Sequence, residues 1–275
     1  MKPAALSYTR ATTLAEAMRS LTTKTDCMVI AGGQSLGPML NLRVAQPKHL
    51  VDVSRLANLR DAKIEGLVLA VGSCVTHAEI EDGKIPDVTL GLMPHVSRGI
   101  AYRAIRNRGT IGGSLAHADP AADWLTTAIA VDASLRVCVL DSTREIKVAD
   151  FIKGAMETDI REGELISHVL IPRFSVSAKW GHAKYAKKLG DFAESMSVAV
   201  VDPERSFVRV VLGRRSEPPA LLRRVSALLA SSDQDSGWQA IRPRVEADLN
   251  ELGIASSDYT MHRAIIERAI RDLRT

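Results

Sequence analysis

Short apolar runs and period-two alternation predict seven strands along the chain: Met28 to Ala31, His49 to Val53, Leu67 to Val71, Leu135 to Leu140, Leu165 to Ile171, Ser197 to Val201 and Val208 to Leu212. Apolar positions recurring every three and four residues predict four helices: Leu14 to Leu21, Pro120 to Val131, Ala220 to Leu229 and Tyr259 to Leu273. Strands and helices are interspersed without a steady repeat, which argues for a mixed α/β chain and against an eight-repeat barrel or a solenoid. Between Pro172 and Trp180 a predicted strand runs into a proline and a polar, serine-containing stretch. Two folding units are expected to meet there, residues 1–175 and 176–275. The segment SSDQDSG, Ser231 to Gly237, reads as a flexible surface loop.

Two glycine-rich stretches interrupt this pattern. In MVIAGGQSLGPMLNLR, Met28 to Arg43, an apolar strand runs directly into Gly32 and Gly33. Adjacent glycines permit positive φ and close approach of a ligand to the peptide planes, and Gln34 and Ser35 add side-chain donors. Successive exposed N–H groups in such a turn form a concave anion site suited to a pyrophosphate. The same residues also describe an ordinary tight turn.

The second stretch, IRNRGTIGGSLAHADPAADW from Ile105 to Trp124, repeats the chemistry with Gly109, Thr110, Gly112, Gly113 and Ser114. Asp119 followed by Pro120 reads as a helix N-cap and first helical residue. Asp123 then falls in the first turn, where a carboxylate favours the helix dipole or a ligand hydroxyl. Neither stretch matches GxxxxGK[ST] or a GxGxxG within a βαβ unit, so neither a P-loop nor an ordinary dinucleotide fold is expected.

Composition narrows the field. A chain of 275 residues, 46% apolar, can bury a sizeable core. It has no apolar run of about 18 residues to span a membrane and no apolar N-terminal stretch, so the cytosol is the expected address. The net charge of +4 is mild and aromatics are only 4%, which does not describe a nucleic-acid footprint. From Lys179 onward there are 16 Lys and Arg against 13 Asp and Glu, so most of the excess sits near the C-terminus, as on a solvated or subunit-facing surface. Cys27, Cys74 and Cys138 form no CxxC pair, so any iron-sulfur centre that works with this chain is expected on another one. The seven histidines show no HxxxH or HExxH spacing, and no acid-base or nucleophile set is marked locally.

AGGQSL at Ala31 to Leu36 and TIGGSLAHADPAAD at Thr110 to Asp123 resemble the two flavin signatures of the FAD-binding medium subunits of the xanthine dehydrogenase and carbon monoxide dehydrogenase family. GELISHVLIP at Gly163 to Pro172, YAKKLGDFAESMSVAV at Tyr185 to Val200 and HRAIIERAI at His262 to Ile270 extend the likeness over nearly the whole chain. The basic GRRSEPP after Leu212, and Lys187-Lys188-Leu189 without the arginine often found there, depart from it.

The resemblance implies an α+β fold of the vanillyl-alcohol-oxidase (PCMH) type, with FAD between a small N-terminal subdomain and a larger one centred on a mixed sheet. A small C-terminal α/β domain with a three-stranded antiparallel sheet would follow. By position it assigns FAD contacts to Ala31, Gly32, Gly33, Gln34, Ser35, Leu36, Thr110, Gly112, Gly113, Ser114, His117, Asp119, Asp123, Ile166 and Lys187, with no covalent flavin bond expected at His117. It implies an electron-transfer subunit that takes electrons from a 2Fe-2S small subunit and passes them to an external acceptor, while a molybdopterin-binding large subunit hydroxylates the substrate. A free-standing flavin oxidoreductase of the same fold, and a basic binding protein using the loops for a nucleotide or acidic partner, are the alternatives.

Overall fold

The computed structural model describes residues 2–140, 142–231 and 237–273. Residues 232–236, most of the segment read as a flexible loop, lie outside the described residues.

The first unit is a parallel sheet of β1 (Ser7–Arg10), β2 (Cys27–Ile30) and β3 (His49–Asp52), in the order β1-β3-β2. Helix α1 (Leu14–Thr23) crosses from β1 to β2 and buries Ala17, Met18 and Leu21 against Val51 and Val53. Thr13 caps it by accepting a hydrogen bond from the Glu16 N–H. Helix α2 (Leu36–Asn41) follows the first glycine pair.

The second unit is a five-stranded sheet of β4 (Ala62–Glu65), β5 (Val68–Gly72), β6 (Ser134–Val139), β7 (Ser142–Lys147) and, across a long connection, Leu165–Pro172. That connection holds the short helix α8 (Val148–Phe151) and the small strand pair β8 (Ile152–Gly154) and β9 (Glu157–Thr158), which makes Leu165–Pro172 strand β10. The sheet order is β4-β5-β10-β6-β7 and every pairing is antiparallel, not mixed as expected. Two hairpins cause this, because β10 enters between them with its direction opposed to both β5 and β6. Between β5 and β6 the chain makes α3 (His77–Glu81), α4 (Leu92–Arg98), α5 (Arg103–Arg106), α6 (Ile111–His117) and α7 (Asp123–Ala130).

The third unit is an antiparallel sheet of β11 (Lys179–Tyr185), β12 (Ser195–Asp202), β13 (Phe207–Arg214) and β14 (Ala220–Leu221). It has four strands where three were expected: Ala220 and Leu221, read as the start of a helix, pair with Leu212 and Val211 instead. Pro218 and Pro219 just before them hold the chain extended, so α9 (Arg223–Ala230) starts later. Helices α10 (Trp238–Glu251) and α11 (Ser256–Asp272) complete the layer.

Alternation along β12 welds this sheet to both neighbours. Val198 and Val200 join the core of Trp124, Leu125, Leu135 and Val169, whereas Ala199 joins the core under α9, α10 and α11. All eight residues of α7 are buried, as expected of a helix packed on every side. Among the described residues no helix is long and apolar enough to cross a membrane.

Helix α11 lies hard on β11. A Cβ built on Gly181 would stand 1.9 Å from the Ala269 carbonyl oxygen, which is backbone and cannot rotate away. Gly181→Ala is therefore expected to destabilise the chain by about 1–3 kcal/mol, the usual cost of overpacking. Urea unfolding checks this; an unchanged midpoint would show that α11 can shift freely.

Candidate functional site

A cleft of about 560 Å³ opens where the three units meet, within the range of small-molecule sites. Residues Ala31, Gly32, Gly33, Gln34, Ser35, Leu36, Thr110, Gly112, Gly113, Ser114, His117, Asp119, Asp123 and Ile166 all line it. Lys187 does not: its side chain is 70% exposed and pairs with Glu194 at 3.5 Å.

The two glycine stretches cross at this cleft, and their glycines serve different ends. A Cβ on Gly32 would lie 2.0 Å from the Arg108 carbonyl oxygen, and one on Gly112 would lie 2.3 Å from the Ser73 Cβ. These two positions are bare so that protein backbone can pack on protein. Gly33 is bare for conformation, with φ at +71°.

The donors divide in the same way. The second stretch is a capped helix rather than an open loop, because the Thr110 hydroxyl accepts from the Gly113 N–H and starts α6. Its other early donors are also committed: Ile111 N–H to the Val75 carbonyl, Gly112 N–H to Ser73 and Ser114 N–H to Thr110. In the first stretch, by contrast, the N–H groups of residues 32–36 have no hydrogen-bond partner among the described residues. Uncommitted backbone donors are therefore found in the first stretch, while those at the start of α6 are taken up by protein acceptors.

Asp119 is not a helix cap. Its carboxylate accepts from the Ala121 N–H at 3.0 Å and closes a turn that delays α7 until Asp123. Asp123 is buried and accepts two hydrogen bonds from Lys184 Nζ, at 2.8 and 3.0 Å. Burial raises its pKa despite the ammonium beside it, as expected where desolvation outweighs pairing. Lys184 also reaches the Gly99 carbonyl at 3.4 Å.

Sequence reasoning missed Lys184, His77, Tyr102 and Phe192. Period-two alternation over KWGHAKY gives β11 and puts Trp180, His182 and Lys184 on one face, a signal present but unread. The sequence Thr76-His77-Ala78-Glu79 is a capping box, and both of its reciprocal bonds form, which puts His77 at the first position of α3. His77 Nδ1 accepts from the buried Trp124 Nε1 at 3.1 Å, so the proton of the neutral ring sits on Nε2, and the ring lines the cleft. Tyr102 and Phe192 lie in loops at the cleft and carried no pattern.

With this geometry established, comparison with known proteins is decisive. The sequence pattern described as "FAD binding domain in molybdopterin dehydrogenase" matches residues 4–174. The chain belongs to this family.

Relatives of the FAD-binding family cover most of the chain. It is 32% identical over 263 residues to the nicotine 6-hydroxylase medium subunit of Paenarthrobacter nicotinovorans, spanning 94% of this chain and 89% of that one. Over 225 residues it is 32% identical to the caffeine dehydrogenase subunit beta of Pseudomonas sp. (strain CBB1), spanning 80% and 76%. Among solved structures, a chain of carbon monoxide dehydrogenase from Hydrogenophaga pseudoflava superposes with a TM-score of 0.91 at 27% identity, covering 100% of this chain and 99% of that chain. The chain is thus a flavoprotein of oxidoreductase type with FAD as its cofactor. The cleft's residues fit that cofactor chemically: the first loop offers uncommitted N–H donors, and Ile166 and Phe192 supply apolar wall.

His77 gives this family member a measurable pH response. Burial, with the Arg106 charge adding to it, pushes the imidazole from 6.5 down to about 4. The unfolded chain takes up this proton below about pH 6.5 and the folded chain does not, so stability falls as pH drops from 6.5 towards 4. The loss assigned to His77 is about 3 kcal/mol at pH 4. In His77→Gln, which keeps an acceptor for Trp124, the slope of urea-unfolding free energy over that window should be correspondingly shallower. An identical slope would remove His77 as its source.

Proposed function

We propose that the chain is the electron-transferring FAD subunit of a heteromeric molybdenum hydroxylase. Electrons arrive from a 2Fe-2S subunit and leave to an external acceptor, and a separate molybdopterin-bearing subunit acts on the organic substrate. The observation that carries the reading is the row of five uncommitted N–H groups at residues 32–36, in a chain whose relatives bear medium-subunit names. The bound flavin accepts and releases electrons; the protein binds it, orients it and sets its local field.

In this reading the first loop holds the pyrophosphate through its backbone donors. Asp123, its charge balanced by Lys184, is placed to accept a hydrogen bond from a cofactor hydroxyl. Thr110, Gly112, Gly113 and Ser114 wall the other side, with His117 and Asp119 beyond them, and Ile166 supplies an apolar surface. Lys184 acts on the cleft through Asp123, which it neutralises, and the FAD contact that the resemblance gave to Lys187 has no lysine at the cleft wall among the described residues. His77, held neutral, offers Nε2–H as a donor. The PCMH-type organisation, with FAD between the first two units, the division of the chain near residue 175 and a cytoplasmic address belong to the same proposal.

A tagged chain purified from its native host is expected to bring two further subunits carrying iron, acid-labile sulfide and molybdenum. Its flavin should be reduced by organic substrate only within that complex. A chain that purifies alone and whose flavin is bleached directly by an organic substrate is instead a free-standing oxidoreductase.

The cradle itself is testable at Gly33. A Cβ in the left-handed region costs about 1–2 kcal/mol, and at Gly33 it would also press on Ile30 Cδ1 at 3.2 Å. Gly33→Ala should therefore weaken FAD binding about tenfold in a fluorescence titration of the apo chain. Unchanged affinity would place the pyrophosphate away from this loop.

A further inference from the structure

Behind the loop crossing lies a second cleft of about 430 Å³, lined by Arg55, Arg60, Arg108, Thr76 and Asn107. Ala31, Gly32, Cys74 and Thr110 line both clefts, so the two are neighbours that share these residues. No Asp or Glu lines the second cleft. Arg60 is balanced by Glu79 at 2.6 Å, and that carboxylate is also held by the Thr76 N–H and hydroxyl at 2.8 and 2.7 Å. The Arg108 side chain makes one hydrogen bond among the described residues, from Nε to the Gly32 carbonyl at 3.3 Å. Arg55 makes no hydrogen bond or ion pair among the described residues. The Asn107 Oδ1 accepts from Arg103, which leaves its amide N–H groups as donors.

We propose that this cleft is an oxyanion subsite for a phosphate-class anion, separate from the cofactor cleft. Arg55 and Arg108, without a carboxylate partner, line one concavity with the Asn107 amide and the Ser54 hydroxyl, a donor set that matches tetrahedral oxyanions by parallel N–H···O pairs. The volume suits a small ligand rather than a flat protein surface. Both arginines are exposed, so binding weakens with salt. The subsite does not depend on the assignment of the chain to a hydroxylase complex.

The test is calorimetric titration of the FAD-loaded full chain with inorganic phosphate and with AMP at low ionic strength. Saturable one-to-one binding is expected, weakened at least tenfold in Arg55→Gln and further in the double variant with Arg108→Gln. Arg223→Gln on α9, away from the cleft, should bind like the parent. Tighter binding of AMP identifies a nucleotide as the source of the phosphate group, and equal binding identifies the free ion; either supports the subsite. Arg55→Gln removes no internal bond, so its fold, checked by circular dichroism, keeps the result readable even if the double variant fails to fold. Absence of saturable binding, or binding untouched by Arg55→Gln, overturns the proposal. So does competition between phosphate and FAD on the apo chain that is lost in Arg55→Gln, which would place these arginines in the cofactor site. Heat of anion binding and flavin absorbance are read separately, so failure here leaves the flavoprotein reading intact.

Discussion

The structure turns on a contact between two pieces of main chain. Gly32 lies so close to the Arg108 carbonyl that no side chain could stand between them. That approach sets the first glycine loop across the entry to α6, and everything near the cofactor cleft follows from it. The second loop, already hydrogen-bonded to the segment around Ser73 and Val75, serves as the fixed member. The first loop is pressed onto it with its own donors turned to no protein acceptor. The cleft is therefore asymmetric, with one wall that is internally satisfied and one that is chemically open.

The same asymmetry separates stability from function along the chain. Gly112 and Gly181 are packing glycines, each facing atoms that cannot yield. Gly33 alone among the glycines discussed has a positive φ, in a loop whose donors face no protein acceptor. A sequence shows GG twice and gives no means of telling these uses apart. The difference lies in what approaches from another part of the fold.

Much of the architecture was legible. All seven predicted strands and all four predicted helices are present, most of them burying a periodic apolar face and α7 buried on every side. The elements that escaped have physical reasons. Strands β4 and β7 are largely exposed sheet edges, short and rich in charged residues, so neither offers the apolar run that marks the inner strands. Helix α10 contains Pro243 and buries a narrow apolar stripe of Ile241, Val245 and Leu249. Of the residues assigned to the site, Lys187 alone falls away from the cleft, because resemblance fixed the segment but not the face. Lys184, three residues earlier, meets Asp123 instead, and only the pleat of its strand signals this. His77 was written in its capping box but had no partner in sequence; Trp124, which holds its ring, comes 47 residues later.

Strand β11 ties the last hundred residues to the rest at three alternate positions. Trp180 donates to the Leu90 carbonyl at 2.9 Å, the His182 and His95 rings meet at 3.2 Å, and Lys184 reaches Asp123. Spacing by twos makes this a vernier. A slip of one residue would present Gly181 and Ala183 to the same partners and strand a buried carboxylate without its cation. Correct register in the C-terminal sheet is thus enforced by the partner of a carboxylate that lines the cleft, so that a slipped sheet would leave Asp123 unpaired there.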